Sequence, residues 1–120
     1  MRKAKATNPE LLDLIRFLKK QSKENKAEIW RDVAERLAKP RRKRVVVNLS
    51  RLNRYTQKNE IVVVPGKVLG AGEINHPMTV TAFALSEKAR EKIKAAKGKT
   101  LSFPELIKKN PKGSNIKIIG

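Results

Sequence analysis

The chain has 120 residues, with 29 Lys or Arg against 11 Asp or Glu, a formal net charge of +18 and no cysteine. That length suits one domain with a real core, and the lack of cysteine excludes disulfide frameworks and thiolate metal sites. No apolar run is long enough to cross a bilayer, and the excess of cations points to a polyanionic partner, nucleic acid ahead of an anionic membrane surface.

Residues 1–6, MRKAKA, carry no helix-start signal and no apolar leader, and read as a basic arm of a soluble, cytosolic protein. Asn8 suits an N-cap, with Pro9 at the first helical position and Glu10 near the positive helix end. Leu11, Leu14, Ile15 and Leu18 then recur on one face at helical spacing. SKENK joins this helix to a second, AEIWRDVAERLAK, whose apolar side is Ile29, Trp30, Val33 and Leu37 and which Pro40 stops. Residues 8–39 therefore read as an N-terminal helical pair.

After Pro40 the period changes. RVVVN reads as a strand, and Asn48 as the cap of a short helix, LSRLNRY. EIVVVPG is a strand ended by Pro65 and Gly66, and KVLGAGEIN continues it with glycine punctuation. MTVTAFAL is a further strand. Ser86 caps the helix SEKAREKIKAAKG, which Gly98 closes, and Ser102 with Glu105 three residues on forms a capping-box pattern. NIKII is a final strand. Strand and helix alternate, so the class is α/β. Short helices and uneven connections fit a regular doubly wound sheet poorly. Residues 1–120 read as a single domain whose core is residues 40–120.

Three features invite catalysis and fail. AKGKT resembles the end of a phosphate-binding loop, but the glycine required at position 93 is Ile93, within a helical pattern. GAG at residues 70–72 opens like a dinucleotide fingerprint, yet the third glycine position is Asn75 and a strand follows. A tight loop with a glycine at positive φ is the better reading. His76 is the only histidine and has no clustered ligand or nucleophile. Neither a catalytic, a cofactor nor a metal site is expected.

The segment from Lys39 to Lys58 holds eight cations, Lys39, Arg41, Arg42, Lys43, Arg44, Arg51, Arg54 and Lys58, and no acid. At helical spacing, Leu49 and Leu52 face inward while Ser50, Arg51 and Arg54 face outward. The valines of RVVVN anchor the backbone in a sheet, so the cations form a fixed array that meets phosphates with little loss of freedom. Guanidinium forks grip phosphate oxygens in a bidentate way, and Asn48 and Asn53 add neutral hydrogen-bonding groups. Five aromatic residues, without an interleaved stacking pattern, favour recognition of structured RNA by backbone and shape over single strands. A free nucleoid or DNA-binding protein is the alternative, though no helix-turn-helix pattern is evident.

TNPELLDLIRFLKK, VVNLSRLNRY and VVVPGKVLGAGEI, followed by TVTAFALSEKAREKI, closely resemble the archaeal and eukaryotic large-subunit ribosomal protein family L-eighteen-e, a relative of bacterial L-fifteen. The resemblance runs from Thr7 to the C-terminal end. It implies an irregular superhelix of β-β-α turns behind the N-terminal helices. It also implies a structural, non-enzymatic role in the cytoplasmic large subunit. The partners would be ribosomal RNA and neighbouring ribosomal proteins, with no membrane and no small-molecule substrate. On this basis Arg41 to Arg44, Asn48, Arg51, Arg54 and the loop around Lys67 are the positions expected to touch RNA.

Overall fold

A computed structural model describes residues 8–40 and 44–120. The expected basic arm at residues 1–6, and Arg41, Arg42 and Lys43 of the cationic segment, lie outside the described residues. Asn8 caps α1 (Pro9–Asn25): its Oδ1 accepts the N–H groups of Glu10 and Leu11 at 2.9 and 3.3 Å. Leu11, Ile15 and Leu18 are buried on one side and Leu14 is half-buried. The helix continues through SKEN, so the connection is only Lys26 and Ala27, not the five residues expected. Lys26 takes a left-handed φ of 52°, which lets the Ala27 N–H close onto the Ser22 carbonyl at 3.1 Å. α2 (Glu28–Leu37) buries Trp30, Val33, Ala34 and Leu37 against α1 and leaves Ile29 half-buried.

The remaining elements are β1 (Val45–Asn48), α3 (Leu49–Tyr55), β2 (Glu60–Leu69), β3 (Met78–Leu85), α4 (Glu87–Ala95), β4 (Lys99–Thr100), α5 (Phe103–Lys109) and β5 (Ile116–Ile118). Every strand pairing is parallel. β2 is the centre: β3 lies along one side, β5 and β1 share the other, and β4 extends the sheet beyond β3. Pro65 and Gly66 do not end β2, as the sequence suggested. The strand passes through both, with a register shift against β3 between Val64 and Lys67. Proline has no N–H to give a ladder and belongs at such an irregularity. Gly66 admits β1, since a Cβ there would overlap the Val45 carbonyl oxygen.

Successive β2 residues alternate between two cores, as strand geometry requires. Val63 packs with α1, α2 and α5 on one face, and Val62, Val64 and Val68 pack with α3 and α4 on the other. A parallel strand covered on both faces reads as an unbroken β-branched run, which is what IVVV is. The α/β class and the N-terminal helical pair are therefore as expected. β4 was not expected, because two residues carry no alternation to detect. Gly98 closes α4 as expected, its N–H donating to the Ile93 carbonyl at 2.9 Å, but the left-handed residue falls one position earlier. Lys97 takes the left-handed φ of 66° that ends α4, while Gly98 is small because a Cβ would strike the Met78 carbonyl oxygen.

The link from β2 to β3 is long in space and short in sequence. Met78 sits opposite Glu60, so after Leu69 the chain must travel back along the whole of β2. That path is about 30 Å, and the eight linking residues can reach roughly that far only when nearly extended. Parallel strands are usually joined by a helix, and here no helix fits. Residues 70–77 instead form a strap laid between α3 and α4, with Ile74 packed into the core beneath them.

Candidate nucleic-acid interface

β1 is an edge strand of the sheet, and α3 follows it without a linking residue. Val47 is buried and Val45 half-buried, but Val46 is 61% exposed, so two of the three valines anchor the strand rather than all of them. Leu49 and Leu52 are fully buried under α3, and Ser50, Arg51 and Arg54 face solvent.

A helix of two turns is not stable alone, so something must hold α3 in place. The strap does so on one side. The Ser50 N–H donates to the Ala71 carbonyl at 3.2 Å, and the Asn75 N–H donates to Asn53 Oδ1 at 3.0 Å. The Thr56 hydroxyl donates to the Leu52 carbonyl at 2.6 Å and lies 2.9 Å from His76 Nε2. From the other side, Lys117 Nζ of β5 donates to the Tyr55 carbonyl at 2.9 Å and pairs with Glu60 at 3.2 Å. Gly72, at a φ of +94°, is the positive-φ glycine expected of the GAG turn, and a Cβ there would press on Ser50. The strap is held in turn by Lys92, whose Nζ donates to the carbonyls of Gly70 and Gly72 at 3.0 and 2.8 Å.

Asn48 occupies the N-cap position of α3, but its side chain makes no capping hydrogen bond, contrary to expectation, and is exposed. The strap's Ala71 carbonyl serves the helix start instead. The guanidinium of Arg51 lies over the Tyr55 ring, 5.7 Å from its centroid, and that ring is 52% exposed. Asn53 is half-buried, with its carbonyl oxygen committed to the strap, so only its NH2 remains to donate outward. Lys67 is exposed and stands beside Val46 in the β1–β2 register. Because Val47 faces α3, Val46 and Lys67 lie on the opposite sheet face. Lys39 is exposed just past α2, and Arg44 is half-buried, with an enclosed Nε that has no acceptor among the described residues.

Those of the expected residues that are described thus wrap an edge rather than tile one plane. Arg51, Arg54 and Asn48 gather at α3, while Lys67 reaches the other face. Among the described residues, Arg51, Arg54, Lys58 and Lys67 make no ion pair. The helical pair is different. Residues 8–37 carry seven cations against six acids, and four of those cations sit in ion pairs along their own helix. The excess charge belongs to the sheet half of the chain. Sequence reasoning missed Thr56, Asn75, Glu60 and Lys117, which position α3. Their partners lie up to 62 residues away, and no local pattern marks them.

No group of His, Cys, Asp or Glu that could hold a metal is found among the described residues, and no helix there is long and apolar enough to cross a membrane. Glu60 is held below the usual carboxylate range by the Gln57 N–H and then by Lys117.

Residues 1–120 match the family described as ribosomal protein 60S L18 and 50S L18e. The large ribosomal subunit protein eL18 of Methanococcus maripaludis is 49% identical over 119 residues, 99% of both chains. The same-named protein of Methanoregula boonei is 48% identical over 98% of both chains. That of Archaeoglobus fulgidus is 50% identical over 94% of this chain and 97% of its own.

Proposed function

The chain belongs to the family of ribosomal proteins 60S L18 and 50S L18e, and we propose that it binds and orders large-subunit ribosomal RNA through the cationic edge built from β1, α3 and Lys67. It is a ribosomal protein with a structural role, not an enzyme. One observation carries the RNA reading. Arg51 and Arg54 stand exposed and without acidic partners on a helix whose underside is fully buried. Guanidinium groups fixed in this way meet phosphate oxygens without first giving up an ion pair or much freedom. Asn48 beside them and Lys67 across the strand extend the contact around the edge, with Lys39 and the run from Arg41 to Arg44 leading into it. The Asn53 NH2 supplies a neutral donor.

The Arg51–Tyr55 pair offers one aromatic surface, too little for a single-strand stacking groove. Recognition therefore runs through backbone and shape, as suits folded RNA. The partners are large-subunit ribosomal RNA and neighbouring large-subunit proteins, and the location is the cytoplasmic large subunit.

Sedimentation from native lysate through sucrose gradients, at low and then high monovalent salt, tests this. Stoichiometric retention on the large subunit in high salt is expected. Protein left at the top of the gradient, or released by salt and recovered on DNA, would make a free nucleic-acid binder the better reading.

A further inference from the structure

A second concentration of cations lies on α4 and β4. Residues 87–100, EKAREKIKAAKGKT, hold six cations and two acids. At about 100° per residue, Ala89 and Ile93 point into the core, and Glu87 and Glu91 fall on the outward crest. The cations divide between the two flanks. Lys88 and Lys92 face the strap, where Lys92 is committed to carbonyl oxygens. Arg90 and Lys94 face the other way. With Lys99, Gly98 and Thr100 they line a groove of about 290 Å³ that reaches Ile93. Arg90, Lys94 and Lys99 are all exposed, and none is in an ion pair among the described residues. The negative end of α4 favours a cation at Lys94, but it does not account for Arg90, in the first half of the helix, or for Lys99 on β4. Three like charges converging on one groove repel one another until a polyanion enters.

The sheet order sets this groove apart from the α3 surface. α3 follows β1 at one edge, the groove lies beside β4 at the other, and β2 and β3 stand between. Three strand spacings alone come to about 14 Å. We propose that the Arg90–Lys94–Lys99 groove seats the phosphodiester backbone of a second RNA segment, distinct from the one at β1 and α3, so that the protein joins two segments. The proposal rests on the reading that the chain lies on large-subunit ribosomal RNA.

The absence of native cysteine gives a direct test. Full-length chains carrying either Glu91→Cys, on the crest beside the groove, or Lys58→Cys, just past α3, take a thiol-tethered photo-crosslinker and are incorporated into large subunits. Crosslinks from both positions to ribosomal RNA, at nucleotides in different segments, are the expected result. A Glu91→Cys chain that crosslinks only to protein, to nothing, or to the same nucleotides as Lys58→Cys overturns the proposal. RNA at Glu91→Cys with none at Lys58→Cys supports the groove as an RNA site and sinks the β1–α3 reading instead. In parallel, the triple variant R90A/K94A/K99A should bind isolated large-subunit RNA with a log K against log salt slope shallower by roughly 2 to 3. Its melting should match the parent. An unchanged slope counts against the groove.

Discussion

Trp30 Nε1 donates to the Pro111 carbonyl oxygen at 2.8 Å, which ties α2 to the loop between α5 and β5 across 81 positions of sequence. The indole is fully buried in the core shared by α1, α2 and α5. Trp30→Phe keeps most of the apolar contact but strands the carbonyl, and should cost about 1–3 kcal/mol in urea unfolding. Because Trp30 joins the helical pair to the sheet half, we propose that the chain unfolds as one unit. Trp30 fluorescence and far-UV circular dichroism should then trace coincident transitions; separate midpoints would show two units instead.

Gly66→Ala should be worse than its single methyl suggests. The added Cβ meets the Val45 backbone, and backbone cannot rotate aside. A loss of about 3 kcal/mol or more is expected, at or above the upper end for overpacking. The damage should concentrate at β1. Hydrogen exchange should show faster amides at residues 45–48 with α1 and α2 little changed.

R51A/R54A removes two exposed guanidinium groups and, with Arg51, its contact over the exposed Tyr55 ring, so stability should stay within about 1 kcal/mol of the parent. Binding to large-subunit ribosomal RNA should weaken, and its salt slope should become shallower by roughly 1.4 to 1.8 if both arginines meet phosphates. Leu52→Ala makes the complementary test. It keeps both arginines but undermines the helix that presents them, at a cost of about 2–5 kcal/mol.

Glu60 gives a pH dependence with a definite sign. Its carboxylate accepts from the Gln57 N–H at 2.6 Å and from Lys117 at 3.2 Å, and these hold its pKa below the ordinary glutamate value, about 4.3. A carboxyl depressed on folding stabilises the fold fully above that ordinary value. The contribution falls away as pH drops through the lower folded one. The stability difference between the parent and Glu60→Gln should therefore be constant near neutrality and shrink below about pH 4.3. Glu105, held low by the Ser102 backbone and side chain in the capping box, should behave in the same way. A difference that is flat across the acid range would count against both.

The parts legible in the sequence are those fixed within a few residues. Asn8, Ser86 and Ser102 cap their helices because an oxygen and the amide it accepts are two or three positions apart. The buried sides of α1, α2 and α3 follow from helical spacing. The outward direction of Arg51 and Arg54 follows from the same spacing, and the net charge that calls for a polyanion follows from composition alone.

Only the tertiary structure decided the rest, because parallel pairing joins residues far apart and leaves no local period to read. It carried β2 through Pro65 and Gly66, exposed Val46, and stretched residues 70–77 into a strap. It gave the start of α3 to the Ala71 carbonyl in place of the Asn48 side chain. It also put Lys67 on the opposite sheet face from α3, and the Arg90–Lys94–Lys99 groove at the far edge from β1. The sequence determined that the charge was there. Strand order and register determined which cations share a surface.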